Sequence, residues 1–377
     1  MENDYAVIIG LQNYPGIDDP ENGKPALAGP ENDANDFRDW IASEQGGNVP
    51  GQNIRLILSS QFAAVTRDQF TNAKPTDLEI TDAFDTLRRI SLEKQKMHLG
   101  SKVGRRLYIF MSGHGIAPTT FGNKTEKEAS LLMSNADITN ITAPHYNIPG
   151  GYTAAWFCEN DCFEEVFLFM DCCRDFTLIS SPNWFLPNKG NSQTAKRFFA
   201  FATRWSLRSR EKLIDGRMQG IFTKTLLLGL NGACAEPDPL NAGQGVITVA
   251  SLKSYLYQNM RKFIDPQFAA DAYLQEPDIE YYPKANDGKD IVIIQAQLQK
   301  FRLVVAVPAT ATGDLIIVDD KLSEVIRSKV TNPPQEFTYD LPRGTYLITC
   351  TINNSATTTR FEITGLETVG QEKRISL

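Results

Sequence analysis

The strongest constraint on the fold is a series of short apolar runs that alternate with segments of helical periodicity. Each run is 6–7 residues long and mostly hydrophobic, as is typical of strands buried on both faces of a mostly parallel sheet. The segments between them, 30–42, 76–92, 222–230 and 249–263, place apolar side chains at helical spacing. This alternation predicts an α/β fold, a layered sheet with helices on both faces. The five apolar runs are Tyr5–Leu11, Asn53–Leu58, Arg106–Met111, Glu165–Met170 and Arg197–Ala202.

Length and composition exclude several classes of protein. A chain of 377 residues has room for two to three domains at about 150 residues each. The hydrophobic share of 42% and charged share of 22% indicate a globular chain, not a disordered one. The net charge of −7 and the lack of a basic stripe argue against nucleic-acid binding. No run of 18 apolar residues and no positively charged leader occurs, so we expect no membrane partner and a cytoplasmic location, where the six cysteines would be reduced.

The chain changes character near residue 285. A polar, linker-like run, Lys284–Lys289, precedes a region in which only strand and turn patterns occur. We therefore predict three parts: a domain over 1–285, a linker over 286–296, and a small antiparallel β-sandwich over 297–377. The strands expected in the last part are Phe301–Val307, Gly313–Val318, Glu336–Tyr339, Tyr346–Ile352 and Thr357–Ile363.

Two of the apolar runs end in residues that could carry chemistry. One run leads into Ser112-Gly-His-Gly115, and another leads into Asp171-Cys-Cys-Arg174. A cysteine at a strand end, near backbone N–H groups and a histidine, can be held as a thiolate and act as a nucleophile. The alternative is that free cysteines are mostly buried apolar residues, which explains one cysteine but not the charged residues around the pair. Neighbouring parallel strands would bring the histidine and a cysteine side by side.

In this combination the sequence resembles the caspase-fold cysteine peptidases, especially the metacaspase-like and prokaryotic caspase-like members. The resemblance covers roughly residues 1–285 and implies a caspase-like, mostly parallel sheet flanked by helices. Five segments carry it, in the order found in the family: Tyr5–Tyr14, Leu27–Ala34, Phe110–Gly115, Phe169–Arg174 and Gly220–Leu230.

The resemblance implies roles for individual residues. Cys173 matches the nucleophile, and His114 matches the general base and acid. The backbone N–H groups of Gly115 and Cys173 would form the oxyanion hole, and such a dyad requires no third side chain. One departure is the run Arg174–Phe176, where many relatives have Ser-Gly or His-Ser-Gly after the cysteine.

The resemblance also implies a substrate class. In metacaspase-like relatives, two aspartates line the pocket for the residue before the scissile bond, and they match Asp33 and Asp171. Two carboxylates favour Arg or Lys, so we expect the partner to be a protein or peptide with a basic residue at that position. In the competing interpretation, Arg174 and Arg204 bind a substrate Asp, as arginines do in animal caspases. Asp33 could alternatively be an exposed first-turn carboxylate favoured by the helix dipole.

Other expectations are less specific. No metal or cofactor is required, but calcium activation is left open, with Asp137, Asp161 and Asp175 as candidates by residue type only. The C-terminal sandwich could bind a regulatory protein or cover the active site. Self-cleavage is a hypothesis that rests on a cluster of basic residues. These are Lys189, Lys196, Arg197, Arg204, Arg208, Arg210, Lys212 and Arg217.

Two further functions compete with a peptidase. One is a catalytically silent caspase-like interaction module. The other is an unrelated α/β redox protein using Cys172 and Cys173, which is disfavoured because a vicinal disulfide is strained and no Cys-x-x-Cys motif is present. Prokaryotic relatives suggest a stress, cell-death or defence pathway, and the oligomeric state is left open.

Overall fold

The computed structural model divides the chain into two compact units, Met1–Leu227 with Leu256–Ile291, and Leu228–Tyr255 with Val292–Leu377. The described residues are 3–18, 26–118, 128–137, 146–174, 183, 185–186, 190–204, 207–238, 240–241, 244–265, 275–365 and 372–377. No helix in these ranges is long and apolar enough to cross a membrane.

The helices and strands are numbered along the chain. The helices are α1 (Pro30–Ala42), α2 (Asp77–Lys96), α3 (Gly150–Glu159), α4 (Ile221–Leu228) and α5 (Val249–Asn259). The strands up to residue 237 are β1 (Asp4–Gly10), β2 (Ile54–Leu58), β3 (Gly104–Gly113), β4 (Gly115–Ile116), β5 (Ser130–Leu132), β6 (Asn147–Pro149), β7 (Phe163–Cys172), β8 (Lys196–Phe201), β9 (Glu211–Ile214), β10 (Arg217–Gly220) and β11 (Glu236–Pro237). The remaining strands are β12 (Gly245–Thr248), β13 (Asp278–Tyr282), β14 (Val292–Ala296), β15 (Phe301–Val307), β16 (Ala311–Val318), β17 (Glu324–Lys329), β18 (Gln335–Leu341), β19 (Gly344–Ile352), β20 (Ser355–Ile363) and β21 (Lys373–Ser376).

The first unit is built on a six-stranded sheet in the order β13-β8-β7-β3-β1-β2. All pairings are parallel except that of β13 with β8 at one edge. The five predicted apolar runs form the five parallel strands β1, β2, β3, β7 and β8, so the predicted α/β fold class is confirmed. The antiparallel edge strand β13 was not predicted.

Both faces of this sheet are buried, which explains why its strands are continuously apolar. Successive side chains alternate between the faces. On one face, Phe110 and Phe169 pack against Phe37 of α1. On the other face, Ile109 and Leu168 belong to a core that also contains side chains of α2 and α3.

Local sequence signals fix where the helices begin. Helix α1 starts at Pro30, a residue whose missing N–H costs nothing in the first turn. Helix α2 starts with a capping box: the Thr76 hydroxyl accepts the Leu78 N–H at 3.2 Å, and the Glu79 carboxylate accepts the Thr76 N–H at 2.8 Å. Helix α3 was not predicted, since it opens with Gly150 and Gly151 at the end of a polar stretch.

The second unit contains the predicted sandwich. Strands β18-β15-β21 form one sheet and β17-β16-β19-β20 form the other, with a shared core that includes Leu303, Val305, Ile317 and Ile348. The pairings are antiparallel as expected, except at one edge, where β21 pairs with β15 in parallel. Strands β17 and β21 are too polar on their exposed sides to have been predicted from apolar runs.

The second unit also takes in residues that the sequence assigned to other parts. Strand β14, which lies within the predicted linker 286–296, pairs with β12. The polar run at Lys284–Lys289 is a turn segment before that strand, and the isoleucines of β14 are buried. The second unit also includes residues 228–255, which the sequence analysis placed in the domain over 1–285.

Candidate active site

The carboxyl ends of β3 and β7 meet at one edge of the central sheet. Their register pairs Ser112 with Asp171 and Gly113 with Cys172. The residues that follow these two strands are His114 and Cys173. Neighbouring strands of a sheet lie about 4.8 Å apart. The structure thus brings together the predicted histidine and cysteine, which are 59 positions apart in the sequence. Both line a cleft of about 200 Å³.

The alternation of side chains along β7 distinguishes the two adjacent cysteines. Cys172 belongs to the core on the side of α2 and α3, and burial raises the pKa of its thiol well above the ordinary value. Cys173 is half-buried and lines the cleft, with its sulfur 3.6 Å from the carbonyl oxygen of Ser209. Of the two adjacent thiols, Cys173 is therefore the one that is open to the cleft.

Tyr14 fixes the backbone at the histidine. Its hydroxyl accepts the His114 N–H at 3.1 Å and donates to the Leu132 carbonyl at 3.2 Å. Its ring stands edge-on to the imidazole with 4.7 Å between centroids. Gly113 has φ +153°, and a methyl group there would lie 2.4 Å from the Tyr14 hydroxyl, so only glycine fits this turn.

The short β4–β5 ladder sets the direction of the Gly115 N–H, which the resemblance assigns to an oxyanion hole. The Leu132 N–H donates to the His114 carbonyl at 2.8 Å, so Gly115 and its partner Leu131 form a non-hydrogen-bonded pair of the β4–β5 ladder. The Gly115 N–H is consequently directed away from β5. A methyl group on Gly115 would lie 2.5 Å from the Cys173 carbonyl oxygen, so the backbone passes very close to the strand that carries the cysteine.

Asp33 lies in the first turn of α1, on the face that packs against the sheet. Its side chain is 1% exposed. Its carboxylate accepts the Gly220 N–H at 3.0 and 3.1 Å and the Ser112 hydroxyl at 3.3 Å. The alternative interpretation, an exposed first-turn carboxylate, is wrong because the helix presents this side chain inward.

Asp171, the second predicted pocket residue, is also buried. The Ser209 hydroxyl donates to one of its oxygens at 2.6 Å. The other oxygen accepts the Thr223 N–H at 3.0 Å and the Thr223 hydroxyl at 2.7 Å. Gln275 in turn donates to the Ser209 hydroxyl at 3.1 Å, which fixes that donor.

The two carboxylates converge on the Cα atom of Gly220. A methyl group on Gly220 would lie 2.0 Å from an Asp171 oxygen and 2.9 Å from an Asp33 oxygen. Burial raises the pKa of both carboxyls, and the charge of Asp171 raises the pKa of Asp33 further. Such a pair costs free energy unless protons or a cation neutralise it. A cation that entered the cleft would therefore relieve the repulsion between the two carboxylates.

Arg174 does not line this cleft. Its side chain is fully buried, its guanidinium pairs with Asp278 at 2.7 Å, and it lies over the Phe201 ring at 4.6 Å. Arg174 is the first residue of the run that departs from the family pattern, and its side chain ties the end of β7 to β13, while Asp175 and Phe176 lie outside the described residues. Arg204, the other arginine considered, pairs with Glu276 at 2.5 Å.

Two of the three calcium candidates lie among the described residues. Asp161 pairs with Lys102 at 2.8 Å, Asp137 forms a backbone bridge with Gly16, and Asp175 lies outside the described residues. No group of three potential metal ligands occurs in the described ranges. Calcium dependence stays a prediction.

The basic residues considered for self-cleavage are spread over several elements. Lys196 and Arg197 belong to the central strand β8, and Lys189 lies outside the described residues. Arg204, Arg208 and Arg210 lie between β8 and β9, and Arg210 lines the cleft. Self-cleavage stays a prediction.

Sequence reasoning missed four residues that shape the pocket. Ser112, Gly220 and Thr223 were inside quoted motifs but were given no role, and Ser209 carried no signal. The period-2 pattern of β3 could have placed Ser112 beside Asp171. The contacts of Ser209 and Thr223 depend on chain segments 38 and 52 residues away from Asp171, which no local pattern encodes.

Comparisons with known proteins give two partial likenesses. A curated protein from a Desulfuromonadales bacterium, named a probable protease, is 27% identical over 241 residues, which cover 62% of this chain and 26% of that protein. The match therefore spans about a quarter of the relative's length. Caspase-1 from Spodoptera frugiperda gives a structural match with a TM-score of 0.41 and 12% identity, covering 74% of this chain and 88% of that one. No protein-family model matches the chain.

Proposed function

We propose that this chain is a caspase-like cysteine endopeptidase that cleaves proteins after Arg or Lys. The observation that carries the proposal is the register of β3 and β7, which sets His114 beside Cys173 and Ser112 beside Asp171 in one cleft. The candidate nucleophile Cys173, the candidate base His114 and the pocket residue Asp171 thus lie at the same edge of the central sheet. The name of the Desulfuromonadales relative, a probable protease, supports the same class of reaction.

The chemistry is acyl transfer in two steps. The Cys173 sulfur attacks the carbonyl carbon of the substrate, and the oxygen that gains the electron pair is stabilised by the N–H groups of Gly115 and Cys173. His114 delivers the thiol proton to the amine nitrogen as the C–N bond breaks, which leaves a thioester on Cys173. A water molecule then gives a proton to His114 and attacks the thioester, so the peptide acid leaves and the thiol is restored.

The buried carboxylates account for the substrate class. Asp33 and Asp171 are oriented by fixed donors, so a guanidinium or ammonium group meets a charged site that is already organised. The cation removes the repulsion between the two acids, and binding is favoured on both counts. A substrate Asp would add a third carboxylate and leave all of them without a counterion.

The test is hydrolysis of fluorogenic peptides that differ only in their last residue, Arg, Lys or Asp. We expect turnover on Arg and Lys by the wild type and none by Cys173→Ala, with Cys172→Ala as the matched control that keeps turnover. Cleavage after Asp would contradict the pocket assignment. No turnover by the wild type, with and without calcium, would favour the silent interaction module instead.

A further inference from the structure

An acidic side chain lies against the imidazole of His114. Asp18 Oδ1 is 3.5 Å from His114 Nε2. Both atoms are buried, and within the described part of the chain neither has a hydrogen-bond partner, so they face each other at the distance of an ion pair. The side chain of Asp18 is only 11% exposed, so solvent does not satisfy this oxygen either.

The loop after β1 holds Asp18 in this place. The N–H groups of Ile17 and Asp18 both donate to the Tyr14 carbonyl at 2.8 Å, which closes a turn. The other carboxylate oxygen, Asp18 Oδ2, accepts the Tyr14 N–H at 3.2 Å. Tyr14 also holds the His114 backbone through its hydroxyl, so one residue positions both the acid and the imidazole.

We propose that Asp18 is a positioning residue that fixes the orientation and tautomer of His114. This inference rests on the proposed function, because it assigns a third member to the predicted dyad. It departs from the resemblance, which requires no third side chain. In this role the two atoms close from 3.5 Å when substrate binds, the carboxylate accepts a hydrogen bond from Nε2–H, and the proton stays on the imidazole.

The consequence concerns the other ring nitrogen. With Nε2–H held by Asp18, Nδ1 is the nitrogen that exchanges a proton with Cys173 and with the leaving amine. When Nδ1 takes that proton, the imidazole becomes a cation beside the Asp18 carboxylate, which stabilises it. If Asp18 had a purely structural role, the hydrogen bond from the Tyr14 N–H to Oδ2 would be sufficient. Such a role would not explain why Oδ1 is buried against a nitrogen of the His114 ring.

An isosteric variant separates the two roles. In Asp18→Asn, the single amide oxygen can accept either the Tyr14 N–H or the His114 Nε2–H, but not both. If the oxygen keeps the Tyr14 N–H, the amide NH₂ faces Nε2 and favours the tautomer with the proton on Nδ1, where it cannot accept the thiol proton. Asp18→Asn should therefore be at least as damaging as Asp18→Ala, although it preserves the shape of the loop.

The kinetic test compares these variants on the peptide that ends in Arg. We expect kcat to fall about 10- to 100-fold in both, with KM within about twofold of wild type. The matched control is Asp39→Asn, which removes an exposed carboxylate on α1 that pairs with Arg38. Asp18→Asn with near-wild-type kcat, or a loss that appears only in KM, would overturn the proposal.

A spectroscopic test does not depend on turnover. The chain has three histidines, so ¹⁵N-histidine labelling gives few signals, and His114→Gln assigns the one that matters. In a Cys173→Ala background at about pH 8.5, where an ordinary imidazole is neutral, we expect the proton on Nε2, and its move to Nδ1 when Asp18→Asn is added. The same tautomer in both proteins would refute the role of Asp18.

The two proposals fail in different ways. If the wild type cleaves none of the peptides, the proposed function fails, while the tautomer still reports whether Asp18 orients His114. If the wild type cleaves the Arg peptide and Asp18→Asn cleaves it equally well, only the role of Asp18 fails.

Discussion

Replacing Asp33 by asparagine should make the protein more stable and less active at the same time. The change keeps the shape of the side chain and removes one of two buried like charges. The amide oxygen can still accept the Gly220 N–H, so the backbone contact of the wild type is retained. The amide NH₂ group is a donor placed near the Asp171 carboxylate, where the wild type has a second acceptor.

The magnitude follows from the burial of the pair. Two like charges about 4 Å apart repel by about 4 kcal/mol at an effective dielectric constant of 20. Hydrogen bonds from Ser112, Gly220, Ser209 and Thr223, together with proton uptake by the pair, offset part of this cost. We therefore expect the free energy of unfolding to rise by about 1–2 kcal/mol at pH 8.

The gain should depend on pH with a defined sign. Because burial raises the pKa of Asp33, the folded protein binds the proton more tightly than the unfolded chain does. That contribution to stability is present below the ordinary aspartate pKa and is lost as pH rises through the raised folded value. The advantage of Asp33→Asn should therefore be largest at pH 8 and shrink towards pH 5.

Activity should move in the opposite direction. Removing one partner of a buried charge contact costs about 2–5 kcal/mol, which corresponds to a loss of about 30- to 5,000-fold in kcat/KM on the Arg peptide. The assays are urea denaturation at pH 5 and pH 8 and hydrolysis of the Arg peptide, with Asp39→Asn as the matched control on the same helix. A variant that is destabilised at pH 8, or that keeps its kcat/KM, would refute the reasoning.

Three further predictions concern neighbouring residues. Iodoacetamide at pH 7.5 should alkylate Cys173 and leave Cys172 unmodified, because burial raises the pKa of the Cys172 thiol. Equal labelling of the two cysteines in peptide mapping would contradict this. Gly220→Ala should raise KM on the Arg peptide at least tenfold, since the added methyl group occupies the space between the Asp33 and Asp171 carboxylates. An unchanged KM would count against the assignment of the pocket. Arg174→Met should lower the free energy of unfolding by only about 1 kcal/mol, because Asp278, which loses its partner, is 40% exposed and can be solvated. The preference for Arg over Asp peptides should stay unchanged, and a switch in preference would sink this assignment.

Much of the sheet could be predicted from the sequence because its strands are buried on both faces. Continuous apolar runs such as β3 and β7 are typical of strands that are buried on both faces. The polar residues at their ends mark the edge of the sheet where a site forms. The same pattern separates Cys172 from Cys173 once the period of two is followed into the turn. Local chemistry along the strands thus carries most of the information about the dyad.

The parts that could not be predicted depend on long-range contacts. Gly220 reaches Asp33 across 187 residues, and Asp18 reaches His114 from a loop whose sequence shows only turn residues. Strand β21 is short and mostly polar, so its own sequence gives no strand pattern. Its parallel pairing with β15 depends on the other strands of the sandwich. Such features follow from the assembled fold, where the partner of each group first becomes defined.

The most direct test of the account is the site at which a substrate-like electrophile reacts. A peptidyl-arginine acyloxymethyl ketone should add to Cys173, as seen by peptide mapping of the intact protein. The adduct should be lost in His114→Ala and should not form with the corresponding aspartyl compound. Modification of Cys172, an adduct that does not need His114, or preference for the aspartyl compound would contradict the assignment of a Cys173–His114 peptidase with an acidic pocket.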